Sequence, residues 1–141
     1  MAEIKTERLL GIPFDFEIGI TAGASYVEKY TISTGYDFIW EMLQVSRRNS
    51  STGVPDSVLS PSIRDVLINI RDEFTGKDMF TSGVYVLSIA GYGFSPFILP
   101  QPYTFKGGTT ITVTVEDTYG GSEGFHLQIL LFGRYTPSPT K

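Results

Sequence analysis

Apolar and polar residues alternate with a period of two in several stretches of the chain, and this alternation predicts β-strands. The segments FDFEIGI (14–20) and TTITVTVED (109–117) both place their apolar residues on one face. Further strands are predicted in YVEKYTI (26–32), DFIWEMLQVSRR (37–48), IRDVLINIRDE (63–73), MFTSGVYVLSIAG (79–91) and FHLQILLFGRY (125–135). Altogether the pattern predicts about eight short strands and no long helix.

The segment PFILPQPYTFKGG (96–108) interrupts the alternation with three prolines and a pair of glycines. Pro100 and Pro102 have no backbone N–H to donate, so the segment is predicted to lie at a sheet edge or to cross the end of the fold. Gly107 and Gly108 supply the positive φ angles of a tight turn. We therefore predict a corner that sets the register of a hairpin formed by the last two strands.

An even number of short strands in a domain of this size predicts two packed antiparallel sheets, an all-β sandwich of jelly-roll type. An immunoglobulin-like sandwich is the alternative, because the number of strands does not separate the two. We assign residues 13–135 to this single domain, residues 1–12 to an N-terminal arm and residues 136–141 to a flexible tail.

The inward-facing positions of the predicted strands form the predicted core, and in the segment 109–117 the threonines between them, Thr112 among them, are predicted to face water. The predicted core residues are Phe16, Ile18, Phe38, Trp40, Val66, Ile68, Ile70, Ile111, Val113, Val115, Leu127 and Ile129.

The N-terminal arm has too few apolar residues to form a core of its own, yet enough to dock on a neighbouring molecule. These residues are Ile4, Leu9, Leu10 and Ile12. We therefore expect the arm to be disordered in the isolated protein and to become ordered in an assembly.

The composition narrows the classes of protein. The 141 residues include no cysteine, which excludes a disulfide framework, a thiolate zinc site and a cysteine nucleophile. The net charge is −4 and Arg47-Arg48 is the one adjacent basic pair, so no nucleic-acid partner is expected. No apolar stretch approaches the roughly 18 residues that span a bilayer, and residues 1–16 lack a signal-peptide pattern, so we expect no membrane partner and no export signal.

Candidate catalytic chemistry is sparse. The single histidine, His126, is predicted on the strand face that carries Gln128, and no metal-ligand spacing surrounds it. The carboxylates of the segment DEFTGKD (72–78) are predicted to be solvated turn charges. No GxSxG motif accompanies the serines. We therefore predict no enzyme activity, no cofactor, and no catalytic or metal-binding residue.

Apolar residues also occupy strand faces that point away from the predicted core. Leu130 and Phe132 in the last strand are of this kind, so a one-sided core leaves an apolar patch on the surface. Burial of that patch predicts a homo-oligomer. Tyr92 and Phe94, in the segment GYGFSPF (91–97), either form an exposed aromatic platform or fold back on the core.

The chain resembles small virion structural proteins of tailed bacteriophages. The segments that carry the resemblance are FDFEIGITAGAS, YTISTGYDFIW and SIAGYGFSPFILPQPYTFKGGTTITVTVED, followed by LQILLFGRY. The resemblance spans residues 13–135 and is to the head decoration, cement or auxiliary capsid type. It implies a jelly-roll sandwich without catalysis that binds and stabilises a capsid shell. It also implies a location in the virion, a homo-oligomer with a trimer favoured, and the major capsid protein or another virion protein as partner.

The residues predicted to mediate interaction are Ile4, Leu9, Leu10, Trp40, Tyr92, Phe94, Leu130 and Phe132. The alternative function is a carbohydrate- or receptor-binding module of a tail or fibre. Its stacking residues would be Trp40, Tyr92, Phe94 or Tyr119. A small enzyme is the third hypothesis.

Overall fold

The structure is a computed structural model that describes residues 8–49, 55–56, 66–80, 84–85, 97–118 and 124–139. Within these residues the chain forms ten strand segments and no helix. The seven long strands are β1 (Arg8–Ile18), β2 (Ala24–Thr31), β3 (Tyr36–Asn49), β5 (Val66–Asp72), β8 (Phe97–Phe105), β9 (Thr110–Asp117) and β10 (Phe125–Pro137). The three two-residue strands are β4 (Pro55–Asp56), β6 (Lys77–Asp78) and β7 (Val84–Tyr85).

The strands form two five-stranded sheets in which every pair is antiparallel. The first sheet has the order β1–β10–β3, with β4 and β8 both paired to β3. The second has the order β2–β9–β5, with β6 and β7 both paired to β5. The prediction of an all-β protein with two antiparallel sheets is confirmed. No helix long and apolar enough to cross a membrane is found in the described part of the chain.

Successive long strands alternate between the two sheets. The first sheet contains β1, β3, β8 and β10, and the second contains β2, β5 and β9. The prediction of a C-terminal hairpin is therefore wrong, because β9 pairs with β2 and β5 while β10 pairs with β1 and β3. An apolar/polar alternation specifies which face of a strand is buried, but it does not specify which strand lies alongside.

All twelve residues predicted for the core are buried. Strands β5 and β10 alternate between buried and half-buried positions along most of their length, as a strand with one face on the core should. One end of the core is aromatic: the ring of Phe105 lies 6.3 Å from that of Phe38 and 6.2 Å from that of Trp40. Further core residues come from both sheets and their connections: Ile12, Phe14, Ile32, Leu43, Val45, Phe105, Phe125, Leu131 and Tyr135.

Both ends of the domain reach further than the sequence pattern predicts. Residues 8–12, assigned to the arm, form the first part of β1 and pair with β10, and Ile12 is 1% exposed. The pairing extends this far because β10, with 13 residues, offers partners to all 11 residues of β1. Residues 136–137, assigned to the tail, belong to β10, and the N–H of Ser138 donates to the carbonyl of Gly35 at 2.9 Å. The sandwich therefore begins before residue 13 and ends after residue 135, the two boundaries predicted from the sequence.

The proline-rich segment forms a strand at a sheet edge and then a turn, as predicted. Among the described strands β8 pairs only with β3, and residues 99–102, which include both strand prolines, have no partner on it. The N–H of Thr109 donates to the carbonyl of Lys106 at 3.0 Å, which closes a turn with Gly108 at a φ of 85°, whereas Gly107 does not have the predicted positive φ. The chain thereby passes from the first sheet to the second.

A buried carboxylate fixes this corner. Asp37, at the start of β3, is 4% exposed. Its Oδ1 accepts hydrogen bonds from the backbone N–H of Gly107 at 2.9 Å and from the hydroxyl of Ser138 at 2.8 Å, and Lys106 Nζ lies 3.9 Å from its Oδ2. A Cβ at position 107 would clash with the backbone oxygen of Tyr36, so this close approach requires glycine. One aspartate thus holds three separate parts of the chain together.

Thr112 lies on the outer face of β9, but it is not solvated. It is 8% exposed, and its hydroxyl donates to Glu73 at 2.6 Å. Its register partners are Lys29 on β2 and Arg71 on β5, and these long neighbours flank it. The prediction that Thr112 faces water is therefore wrong, because strand alternation sets the direction of a side chain but not what its neighbours cover.

Replacing Val113 with alanine is expected to lower the free energy of unfolding by roughly 1 to 3 kcal/mol, because two buried methyl groups are lost and a cavity remains. Val113 is fully buried in β9, which lies between β2 and β5. Denaturant unfolding measures the change. The control is Thr114→Ala, half-buried on the opposite face of the same strand, which we expect to stay within about 0.5 kcal/mol of the parent. Equal losses for the two variants would contradict the assignment of faces.

Candidate functional site

The outer face of the first sheet carries a row of apolar residues across four strands. Gly11 of β1 is the register partner of Phe132 of β10, Phe132 that of Met42 of β3, and Met42 that of Ile98 of β8. Register partners on adjacent strands point to the same side of a sheet, so the three apolar side chains line up. Ile98 is 67% exposed, and Phe132 and Met42 are half-buried.

Further apolar residues widen this row. Leu130 is the register partner of Pro13 on β1, and Leu9, near the start of β1, is 70% exposed. Because Gly11 has no side chain, Leu130 and Phe132 approach its backbone, and a Cβ at position 11 would lie 3.2 Å from the first and 3.3 Å from the second. The apolar band is defined here as Leu9, Pro13, Met42, Ile98, Leu130 and Phe132.

Polar side chains border the apolar band on the same face. On one side Gln128 Nε2 donates to Asp15 Oδ1 at 2.9 Å, and His126 Nε2 lies 3.3 Å from the same oxygen. On the other side Arg134 Nε lies 3.3 Å from Glu41 Oε1. His126 is therefore on the predicted face, beside a carboxylate. An apolar centre with a polar rim is the usual anatomy of a protein–protein interface.

The outer face of the second sheet is polar by comparison. Arg71 Nε donates to Glu73 at 2.9 Å, and Arg71 Nη1 lies 3.3 Å from Asp78. Hydrogen bonds from Thr112 and then from Arg71 hold the pKa of Glu73 below its ordinary value. The exposed apolar residues of this face do not form a row: Val27, 52% exposed, has a threonine as its partner on β9, and Tyr85, 48% exposed, pairs with Leu67 at the other edge of the sheet. The apolar band therefore distinguishes one outer face of the protein from the other.

Asp72 is not a solvated turn charge, so that prediction is corrected. It is 2% exposed, and its Oδ1 accepts hydrogen bonds from the backbone N–H groups of Phe74 at 3.0 Å and Thr75 at 3.4 Å. Its Oδ2 accepts a hydrogen bond from the hydroxyl of Tyr103 at 2.7 Å, which links the second sheet to the first. The pKa of Tyr103 is raised above its ordinary value, first by burial and second by the hydrogen bond to Asp72.

The register brings together three of the residues predicted to mediate interaction and adds three that were not predicted. Those predicted are Leu9, Leu130 and Phe132. Those missed are Pro13, Met42 and Ile98. A period of two along the segment 37–48 places Met42 on the same face as Trp40. The irregularity in the pairing between Trp40 and Met42 turns Met42 to the outer face instead, so neither Met42 nor its neighbours in the apolar band could be known before the register.

The other predicted interaction residues lie elsewhere. Leu10, on the opposite face of β1 from Leu9, packs against the core. Trp40 is 5% exposed, and its Nε1 donates to the carbonyl of Met42 at 2.7 Å. Its assignment to an exposed interaction surface is therefore corrected, because the side chain belongs to the aromatic end of the core. The remaining ones lie outside the described residues: Ile4, Tyr92 and Phe94.

The described residues contain no group of three or more His, Cys, Asp or Glu side chains that could hold a metal ion. No model of a known protein family matches the chain, and no curated protein matches it either. The fold and the surface together define an all-β protein of two antiparallel sheets with an apolar band on one outer face.

Proposed function

We propose that the chain is a non-enzymatic structural protein of a phage particle, which associates with copies of itself and with the capsid shell through the apolar band. The observation that carries this proposal is the alignment of Gly11, Phe132, Met42 and Ile98 across four strands of one sheet. An apolar patch with a polar rim on a rigid sheet is suited to a stable protein interface. The resemblance to decoration and cement proteins of tailed bacteriophages supports the location in a virion.

The pairing of the strands supports the finer assignment to a jelly roll. The first long strand pairs with the last, β2 with β9, β3 with β8, and β5 with β7. Such nested pairs form one long antiparallel ribbon, and folding the ribbon over itself produces two sheets with the orders β1–β10–β3–β8 and β2–β9–β5–β7. Jelly rolls occur in viral capsid proteins and also in lectins and cupins, so the fold favours a shell protein by analogy alone.

A closed homo-oligomer is the arrangement that we propose for the free protein, with a trimer favoured. Each copy would cover part of the apolar band of its neighbour, and a rotationally symmetric ring leaves no unmatched surface. The net charge of −4 on 141 residues is small enough to permit association. The major capsid protein, or another virion component, would then bind the assembled ring.

Phe132→Asp is expected to weaken self-association by about 30-fold or more, because it places a charge at the centre of the apolar band. Sedimentation velocity should show the parent chain as a species heavier than one chain and the variant shifted toward monomer, with its β-sheet circular dichroism retained. The matched control is Val27→Asp, which places the same charge at an exposed apolar position on the other outer face and should leave the association unchanged.

A second variant tests the same interface if Phe132→Asp unfolds the chain. Ile98→Asp lies at the exposed edge of the apolar band, where 67% of the residue is accessible, and it should also favour the monomer. A parent protein that is monomeric at tens of micromolar would contradict self-association. If Val27→Asp dissociated the oligomer as strongly as Ile98→Asp, the interface would not be the apolar band.

The carbohydrate- or receptor-binding alternative is not favoured by an observation on the described residues. Trp40, one of its proposed stacking residues, is buried. Its other proposed residues, Tyr92, Phe94 and Tyr119, lie outside the described part of the chain. A defined sugar bound on a glycan array would favour this alternative over a shell protein.

A further inference from the structure

A cavity of about 330 Å³ opens between the two sheets and is separate from the apolar band. Trp40 and Leu43 of β3 line it on one side, Phe97 and Leu99 of β8 on another, and Met79, which follows β6, contributes from the second sheet. The volume lies at the lower end of the range of ligand pockets. The site is therefore large enough for a small organic molecule.

The cavity lies where the strand pairing of both sheets is interrupted. Residues 99–102 of β8 have no register partner on β3. In the second sheet β6 has only two residues, after which the N–H of Met79 bonds to the carbonyl of Ile70 at 2.8 Å. The two interruptions leave half-buried apolar side chains around an open space, and an apolar group that fills this space would leave water.

One wall of the cavity is held rigid by a polar contact. The hydroxyl of Tyr103 donates to the buried Asp72 at 2.7 Å, and its ring lies 4.8 Å from the ring of Phe105 in the core. The hydroxyl of Tyr103 is thus engaged before any ligand binds. Both oxygens of Asp72 are also occupied, since the other accepts the turn N–H groups of Phe74 and Thr75.

Lys77 places a positive charge on the lining of this cavity. Its Nζ lies 5.8 Å from the centre of the Tyr103 ring, and the residue is exposed. Among the described residues no carboxylate forms an ion pair with Lys77. An apolar cavity with a single cation on its lining matches a ligand that has a hydrocarbon body and one acidic group.

We propose that this cavity binds a small amphipathic carboxylate, whose hydrocarbon part occupies the space between Trp40 and Leu99 and whose carboxylate contacts Lys77. The apolar part gains by leaving water, and the acidic end remains at the accessible rim, where Lys77 lies. The site does not depend on the proposed assembly function, because none of the residues that line it belongs to the apolar band.

The experiment measures quenching of tryptophan fluorescence, because Trp40 is the single tryptophan and lines the cavity. The probe is 10-bromodecanoate below its micellar concentration, since bromine quenches an indole that it contacts, and 10-bromodecanol is its uncharged counterpart. The carboxylate should quench saturably and bind more tightly than the alcohol. Lys77→Gln should weaken binding of the carboxylate by about two- to fivefold, the range for an exposed ion pair, and leave the alcohol unchanged.

Two further variants test whether the changes in probe binding arise in the cavity itself. Lys29→Gln removes a positive charge from the outer face of the second sheet and should leave carboxylate binding unchanged. Leu99→Phe fills the cavity and should weaken both probes by about tenfold or more, while thermal unfolding confirms that the variant is folded. Absence of saturable quenching in the parent chain would overturn the proposal. Equal binding of the acid and the alcohol, or equal effects of Lys77→Gln and Lys29→Gln, would overturn the role of Lys77.

Discussion

Gly133→Ala is expected to lower the free energy of unfolding by about 3 kcal/mol, at the upper end of the range for overpacking. Gly133 lies in β10 at the point where the register between β10 and β3 shifts, directly after Phe132. A Cβ on Gly133 would clash with the backbone oxygen of Ile39 and lie 3.1 Å from the Cα of Trp40. Because the neighbouring atoms are backbone, no side-chain rotation relieves the clash, and the two central strands would have to separate.

Chemical denaturation with a constant m value is the measurement for this variant. The matched control is Gly19→Ala, just after β1, where a Cβ would meet the hydroxyl of Tyr26 at 3.4 Å, an ordinary contact. The control should change the free energy of unfolding by less than about 0.5 kcal/mol. If Gly133→Ala lowered the free energy of unfolding no more than Gly19→Ala, the backbone at the register shift would be able to move apart. The close approach of β10 to β3 would then not require glycine.

Asp72→Ala is expected to lower the free energy of unfolding by about 2 to 3 kcal/mol, because charge-assisted hydrogen bonds are among the stronger ones in proteins. The substitution removes the acceptor of the Tyr103 hydroxyl and of the two turn N–H groups of Phe74 and Thr75. It breaks a link between the two sheets, and it leaves a space at a residue that is 2% exposed.

Two comparisons test this prediction. Asp78→Ala removes a carboxylate from the same turn whose side chain is 41% exposed and should cost less than about 1 kcal/mol. Spectrophotometric titration provides an independent readout: loss of Asp72 should lower the pKa of Tyr103, because the hydrogen bond to the carboxylate raises it. The value should stay above the ordinary one, since burial also raises it. Equal costs at positions 72 and 78 would contradict the inter-sheet role of Asp72.

The strands and their buried faces could be predicted from the sequence because they follow from local geometry. In an extended backbone successive side chains point to opposite sides, so the alternation around Val66, Ile68 and Ile70 indicates a buried face whatever the neighbouring strand is. The interrupted edge at Pro100 and Pro102 was also predictable, because proline lacks the N–H that a central strand donates. These are properties that each segment carries by itself.

The strand order could not be predicted in the same way. Strands β9 and β10 follow each other in the chain and both have an apolar face, which is also what a hairpin would show. The structure places them in different sheets, and β1 extends along β10 from Arg8 onward. Many pairings bury the same apolar faces about equally well, and only the sum of contacts over the whole fold selects one of them.

The residues of the candidate site also divide into those that the sequence predicts and those that only the strand register reveals. Leu130 and Phe132 could be assigned to the outer face from the period of their own strand. Their neighbours Met42 and Ile98 could not, because a surface that runs across four strands exists only after the register has been set. The cavity beside Lys77 is likewise formed by residues from both sheets, and no single segment contains its pattern.

The sequence by itself determined the class of secondary structure, the core faces of the strands and the corner before β9, because these depend on the backbone period and on proline and glycine. Only the tertiary structure decided that Asp72 is buried and that Thr112 is covered. The burial of a side chain depends on which distant residues surround it, and the chain brings those residues together only when the two sheets pack.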